Sequence, residues 1–413
     1  MRSDRTSLRP GSQVDRGTSD NRPVVAVLVT RWEAGSEEGW TTRQVAGALA
    51  CSANVHIITP NGTIPAQSVD SVFTVHELAT PVDPTAELRR DLLLDAFSAT
   101  ATVAVDGRRG VVPSGLDPLL DGNLLQSWHG AIDILHRIRP DLVVIADYRN
   151  IGALDAVERA APGVPVTLLA LGADLAGLAS SHFDRLIDRS SAVLAITETE
   201  RVAMRQHHRG ANVHRIGIPA AANPSVLREP NTWVGETEYV LVITGADTKG
   251  KEEEVALSRM LRLRFPDNPV GIAATDAFSV WHQGRLSQGW PVERSSDMAR
   301  LMAWARVTVD LRPGSLVARR CVESLLYGTP IIVPEDTRAK EHAELGRGGL
   351  WFSSPGELVW CVEAMLDNGT RHALGSQGSS YAEQRYGSTD AFIERVLTAT
   401  NLIGLPGSDR LTA

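Results

Sequence analysis

Short, predominantly apolar runs recur along this chain and alternate with stretches of helical periodicity. The clearest runs are residues 24–30, 166–171, 239–244 and 331–333. Continuous apolar runs bounded by turn residues are typical of parallel strands that are buried on both faces. Parallel strands need crossover connections, and the amphipathic stretches between these runs supply helices for them. The alternation therefore predicts an α/β fold built on doubly wound parallel sheets.

The length of 413 residues exceeds one ordinary doubly wound core, so we predict two domains of doubly wound size. The first strand–helix series ends near residue 218, and the second begins near residue 238. The intervening residues are rich in Ala, Pro, Asn and Glu without a period, which indicates a linker. The predicted segments are a disordered tail at 1–22, an N-terminal domain at 23–218, a linker at 219–237, a C-terminal domain at 238–380, a final helical segment at 381–403 and a tail at 404–413.

Charge and composition narrow the class of function. The chain has a formal net charge of -8 with 43% hydrophobic and 22% charged residues, which describes a globular protein and argues against nucleic acid as a partner. The three cysteines, Cys51, Cys321 and Cys361, lack metal or disulfide spacing and fall in apolar helical patterns. We therefore expect small core residues in a reducing cytoplasm. No membrane-spanning run or signal peptide is evident.

Residues 312–342 carry the strongest local signal. Pro313 and Gly314 end an apolar run, and Ser315 is predicted to be the N-cap of a helix. Helical spacing places Arg319 and Glu323 on a shared face, whereas Arg320 is expected on another face as a structural cation. A strand, a tight loop and the amino end of a helix form an anion site, because the first helical N–H groups have no helical partners.

The segment from Glu323 to Pro334, ESLLYGTPIIVP, resembles the donor-site signature of GT-B glycosyltransferases of the retaining family 4 (glycosyl transferases group 1). The resemblance covers residues 23–400 and is most specific from 190 to 345. It implies two Rossmann-like domains, with the acceptor bound by the first and the nucleotide sugar by the second. The final helix would then cross back to the N-terminal domain.

The same resemblance implies a set of donor-binding residues. Glu323 takes the place of a Glu that binds the ribose hydroxyls, and Lys249-Gly250 matches a Lys-Gly element on the donor diphosphate. The chain has only three lysines, so two of them in one Gly loop stand out; a solvent-facing loop is the alternative. The full set is Lys249, Lys251 and Arg319 for the diphosphate, the amides at Ser315 and Leu316, Glu323, and Trp290 with Val292 beside the nucleobase.

Three departures separate this chain from the family pattern. Ser315 stands where the first Glu of the donor motif belongs, Ala246 replaces an Arg, and the place of an N-domain His reads Leu171. Ser315 is too short to replace a carboxylate that reaches the donor sugar. Either the donor or its pose differs, or the chain has kept the scaffold without catalysis.

The loop after the first strand is the expected acceptor side. It lacks the GxGxxG spacing, which argues against a dinucleotide-binding dehydrogenase. In the resembled family this loop lies between the domains, where Glu33, Gly39 and Trp40 would line the cleft. Solvated loop residues are the alternative interpretation. Asp174 is the one candidate catalytic residue, with capping of the following helix as its alternative.

These features predict a hexosyltransferase-type enzyme that transfers a sugar from a nucleotide-sugar donor, with retention. No metal and no cofactor is expected, because cations and a helix amino end can stabilise the departing diphosphate. The acceptor is left open among a glycan, a lipid and a small molecule. The expected location is the cytoplasm, with peripheral contact to the inner membrane face left open. The alternatives are a non-catalytic GT-B-like protein that binds a nucleotide or a partner, and a nucleotide-sugar epimerase.

Overall fold

The computed structural model describes residues 22–30, 32, 37–60, 72–78, 128, 130–146, 151–171, 181–220, 238–244, 251–273, 277–283, 285–291, 295–312 and 318–402. Among these residues, no helix is both long enough and apolar enough to cross a membrane.

Seven described strands form the first sheet, in the order β3-β2-β1-β4-β5-β6-β7. All neighbours are parallel, and the order of the chain reverses beside β1. Alternate residues of β1 lie in two different core clusters, Val25 and Val27 in one and Ala26 and Leu28 in the other, so both faces of the sheet are covered. The strands are β1 (Val24–Leu28), β2 (Asn54–Pro60), β3 (Thr74–Leu78), β4 (Leu142–Ala146), β5 (Val166–Leu169), β6 (Ala192–Ala195) and β7 (Val213–Arg215).

The second sheet also has seven described strands, in the order β11-β10-β9-β8-β12-β13-β14. Neighbours are parallel except that β10 runs antiparallel to both β9 and β11. The strands are β8 (Tyr239–Ile243), β9 (Val270–Ala273), β10 (Ala277–His282), β11 (Arg285–Pro291), β12 (Ala305–Asp310), β13 (Ile331–Pro334) and β14 (Gly349–Phe352). Two doubly wound sheets confirm the predicted fold class.

Helices follow most of these strands, as the periodicity predicts. Several begin at side-chain caps, including Ser354, Asp367 and Ser388. The helices are α1 (Glu37–Ala50), α2 (130–138), α3 (Ile151–Ala160), α4 (Ser181–Arg189), α5 (Glu198–His207), α6 (Lys251–Arg264), α7 (Ser295–Trp304), α8 (Arg319–Leu326), α9 (Lys340–Gly346), α10 (Pro355–Leu366), α11 (Asn368–Tyr386) and α12 (Thr389–Ala399).

One apolar cluster joins elements of both sheets. It contains Val25 and Ile57 of the first sheet together with Cys321 of α8 and Ile331 of β13. Helix α11 packs against α8, and α12 packs against α1, so the end of the chain returns to the first sheet. The domain boundaries themselves remain predictions.

The two C-terminal helices, α11 and α12, are hydrogen-bonded to the segment that follows β7. Ala220 N–H donates to the Tyr386 carbonyl at 3.2 Å, and Arg395 Nε donates to the Ile216 carbonyl at 2.8 Å. Between them Gly217 has φ +72°, and a Cβ there would lie 3.2 Å from the Tyr386 ring. Glycine is required because this backbone conformation and the close ring both disfavour a side chain.

The cysteine prediction is confirmed at two positions and wrong at the third. Cys321 and Cys361 are buried, and burial raises the pKa of the Cys361 thiol to about 11, with a contribution from Glu357. Cys51 is exposed, because α1 ends at Ala50 and the next residue falls in the turn beyond its buried face.

Candidate active site

The two sheets meet through segments that follow the carboxyl ends of their strands. Helix α1 follows β1, helix α8 follows β12, and the two helices touch through Trp40 and Arg319. The Arg319 guanidinium carbon lies 4.1 Å from the centroid of the Trp40 ring. A cation over an indole contributes roughly 0.5–2 kcal/mol, depending on desolvation. The contact brings together one residue predicted for the donor side and one predicted for the acceptor side.

Glu323 is held by two arginines of its own helix. Arg319 Nε lies 2.6 Å from Glu323 Oε1, and Arg320 Nη1 lies 2.9 Å from Glu323 Oε2. The Glu323 side chain is 14% exposed, so these ion pairs are sheltered from water. The prediction that Arg320 lies apart from this pair is wrong, since residues three apart on a helix are also neighbours. Each Glu323 oxygen thus carries one arginine contact, which leaves further lone pairs on the carboxylate as acceptors.

The predicted N-cap, Ser315, lies outside the described residues, so its role stays a prediction. Helix α8 begins at Arg319, and its N-cap is Ala318, with φ 47° and ψ 34° in the left-handed region. A residue in that conformation breaks the helical path, so α8 ends in this direction at Ala318. The amino end of α8 therefore belongs to Arg319 and the next residues, which places both arginines in its first turn.

A buried acidic group lies at the end of β12, beside α8. Asp310 is 2% exposed and accepts bonds from Arg312 Nε at 2.8 Å and Arg312 Nη2 at 2.6 Å. The Cys321 thiol lies 3.5 Å from Asp310 Oδ2, so the same carboxylate also contacts α8. Sequence reasoning missed this group because Asp310 sits inside an apolar run. An Asp in a strand of that kind, followed two residues later by Arg, is the signal that could have found it.

A carboxylate from the second sheet binds the amino end of a helix of the first. Glu341 on α9 accepts from Glu198 N–H at 2.9 Å and from Thr199 N–H at 2.6 Å, at the start of α5. Glu341 is 5% exposed. A negative charge at this position is favoured by the unpaired amides and by the helix dipole.

An ion pair supports the same junction. Arg338 Nη1 lies 2.9 Å from Glu200 Oε1, and the other Glu200 oxygen accepts from the Ile196 and Thr197 amides at 2.9 and 3.0 Å. Thr197 in turn caps α5, which completes a capping box. Burial raises the pKa of Glu200, although Arg338 and the backbone bonds act in the opposite direction.

Several predicted site residues lie outside the described part of the chain, and their roles stay predictions. Of the remainder, Gly39 is buried in the first turn of α1, and Lys251 begins α6. The residues outside the described ranges are Glu33, Asp174, Lys249, Val292, Ser315 and Leu316.

Trp290, predicted to lie beside the nucleobase, is part of a strand. It belongs to β11 and pairs with Phe278 of β10. Because β11 runs parallel to β9, Trp290 is near the sheet edge where β8, β9 and β12 also end. A register shift between Val280 and Trp281 interrupts the pairing of β10 with β11.

Comparison with known proteins shows the fold. Neither a family model nor a curated protein sequence matches the chain. Solved structures do match: α,α-trehalose 6-phosphate synthase of Burkholderia multivorans has a TM-score of 0.63 at 14% identity, covering 92% of this chain and 98% of that one. Sucrose-phosphate synthase of Thermosynechococcus elongatus matches with a TM-score of 0.60 at 11% identity, covering 92% of this chain and 99% of that one. UGT2 of Phytolacca americana, complexed with UDP-2-fluoro-glucose and pterostilbene, matches with a TM-score of 0.56 at 12% identity, covering 92% of this chain and 100% of that one.

Proposed function

Taking the GT-B fold of two Rossmann-like halves as the premise, we propose that the chain is a glycosyltransferase that moves a sugar from a nucleotide-sugar donor to an acceptor. One observation carries the proposal: Arg319 at the amino end of α8 is stacked on Trp40 of α1, where the two sheets meet. The proteins of similar fold include sugar-phosphate synthases and one complexed with a UDP-sugar. Assignment to the retaining family 4 is part of this proposal.

The donor side follows from the charge of α8. Departure of a nucleotide diphosphate builds negative charge, which two arginines and the amino end of a helix can stabilise without a metal. We assign this role to Arg319, with Lys249 and Lys251 as further cations and the amides at Ser315 and Leu316 beside them. Each preorganised contact of this kind contributes roughly 3–4 kcal/mol in the transition state. Trp290 and Val292 would border the nucleobase.

Glu323 is assigned to the ribose. Glu323 Oε2 would stay paired with Arg320, while Oε1 would release Arg319 and accept a hydrogen bond from a ribose hydroxyl instead. This exchange frees Arg319 for the diphosphate, so ribose and diphosphate recognition would be coupled. The donor thereby recruits a cation that is otherwise shared between Glu323 and Trp40.

The acceptor side is assigned to Trp40, Gly39 and Glu33, with Asp174 as the candidate catalytic residue. A cleft closed by the Glu341 contact would exclude water and hold the acceptor near the donor, which supplies a proximity contribution. Hexosyl transfer with retention, independence of metals and cofactors, and a cytoplasmic location belong to the same proposal. The acceptor class stays open among a glycan, a lipid and a small molecule.

Nucleotide binding tests the donor site directly. A thermal-shift screen of UDP-, GDP- and ADP-sugars identifies the base. Calorimetry with the matching nucleotide then measures binding of the whole donor nucleotide, and calorimetry with pyrophosphate measures binding of the diphosphate part alone. Arg319→Ala and Lys249→Ala should weaken both ligands about tenfold or more, the value of one charge-assisted bond. Glu323→Ala should weaken the nucleotide but not pyrophosphate, which has no ribose. Arg285→Ala, at the exposed start of β11, is the matched control. Unchanged affinity in all three site variants would refute the proposed donor site.

A second candidate function is a non-catalytic protein that binds a nucleotide or a partner. It is favoured by Glu323, whose two oxygens are already paired, and by Ser315 in place of a carboxylate. Nucleotide binding without sugar transfer to any supplied acceptor would support it. Conversion of the donor sugar without an acceptor would instead indicate the epimerase alternative.

A further inference from the structure

A cavity of about 370 Å³ lies in the second half of the molecule, away from the proposed cleft. It opens at the amino ends of β8, β12 and β13, whereas the cleft is formed at their carboxyl ends. Pockets of 300–1,000 Å³ are the size that small metabolites occupy. The side chains that matter here are Glu238, Trp304, Arg306, Tyr327, Arg371 and His372.

Two guanidinium groups converge on this cavity and share one carboxylate. Arg306 Nε and Nη2 lie 3.0 and 2.9 Å from Glu238 Oε2, and Arg371 Nη1 lies 3.0 Å from Glu238 Oε1. Burial opposes ionisation of Glu238, yet the two arginines lower its pKa, so the carboxylate is charged. Two cations against one anion leave the lining with a formal charge of +1.

The second edge of the Arg371 guanidinium is poorly satisfied. Its Nη2 has only long contacts, 3.4 Å to Asn368 Oδ1 and 3.4 Å to His372 Nε2. Its Nε is buried and makes no hydrogen bond within the described part of the chain. The side chain is 13% exposed, and a buried donor without an acceptor is costly. Asp367 does not relieve this shortage, because its carboxylate bonds the Thr370 N–H.

We propose that this cavity is a second ligand site, which binds the phosphate group of a small metabolite. Arg371 and Arg306 bind the oxyanion, because planar guanidinium groups match phosphate geometry bidentately. Trp304 and Tyr327 border the remainder of the ligand. Glu238 already shows that the pair holds an oxyanion, and it competes with the phosphate for Arg371.

The competition by Glu238 gives two variants with opposite effects. Inorganic phosphate is titrated into the full chain by calorimetry at constant ionic strength. Arg371→Leu should weaken phosphate binding at least tenfold, because it removes the main ligand. Glu238→Gln should tighten binding severalfold, because it removes the competing charge while keeping the shape. Arg285→Leu, an exposed arginine outside the cavity, should match the wild type.

Two outcomes would overturn the site. One is weaker or unchanged phosphate binding in Glu238→Gln, a partly exposed and isosteric change that decides the question even where Arg371→Leu does not fold. The other is loss of binding in Arg319→Ala with retention in Arg371→Leu, which would place the phosphate in the cleft instead. A failure to find sugar transfer leaves these results unchanged, so this inference and the proposed function fail separately.

Discussion

Glu341 is the most informative single position for the junction of the two sheets. Its carboxylate accepts two N–H bonds from the start of α5, at 2.9 and 2.6 Å, while 5% exposed. A hydrogen bond to a charged group contributes about 1.5–3 kcal/mol, and the helix dipole adds roughly 0.3–2 kcal/mol. Allowing for water that replaces part of this, we expect Glu341→Ala to lower the free energy of unfolding by about 3 kcal/mol. Glu341→Gln keeps one acceptor and should lose about half as much.

Urea unfolding followed by circular dichroism measures these changes, and small-angle scattering measures closure of the sheets. Glu344→Gln is the matched control, since Glu344 is exposed on the same helix. It should stay within about 0.5 kcal/mol of the wild type. The radius of gyration should increase in Glu341→Ala and not in the control. Stabilities of all three variants within that margin, with no change in radius, would show that the contact is not formed in solution.

Two further predictions concern pH and packing. His56 Nδ1 and His76 Nε2 face each other at 2.9 Å, and burial lowers the pKa of both imidazoles, helped by His76 for the first and by Arg137 for the second. The unfolded chain therefore takes up protons below about pH 6.5 that the folded chain does not, so the free energy of unfolding should fall as the pH drops below 6.5. The midpoint of urea unfolding should fall less between pH 7.5 and pH 5.5 in His76→Gln than in the wild type. Equal falls in the two proteins would contradict this. A Cβ on Gly375 would lie 2.2 Å from the Gly328 carbonyl oxygen, so Gly375→Ala should lower the free energy of unfolding by about 2 kcal/mol or more. A Cβ on Gly356 has no atom within 4 Å, so Gly356→Ala should raise it by up to about 1 kcal/mol. Melting temperatures that move in the same direction in both variants would refute the packing argument.

Fold class was predictable from the sequence because the signal is local. Buried parallel strands such as β4 and β8 are wholly apolar, and each is followed by a periodic helix. Strand β3 was not predicted, since it has mixed exposure, no run of apolar residues and a place at the end of the described strand order. The antiparallel pair β10–β11, which has a register shift after Val280, was not predicted either.

The site was less predictable because its contacts join distant parts of the chain. Arg319 and Glu323 are four residues apart, so their pairing follows from helical geometry. No local pattern could place Arg319 on Trp40, or Glu341 on the start of α5 at a separation of 143 residues. Such contacts depend on how the two sheets are oriented, which the sequence pattern of either half does not encode.

The bonded return of the chain has a mechanical consequence. Residues 216–220 and the α11–α12 junction lie side by side through the Ala220–Tyr386 and Arg395–Ile216 bonds. Because these two bonds lie side by side, we expect one half of the molecule to rotate about the line that joins them rather than to slide, once the Glu341 bonds to α5 are broken. Any opening of the proposed cleft should therefore be a rotation about this line. The residues furthest from the line should move most, and Gly217 should hardly move.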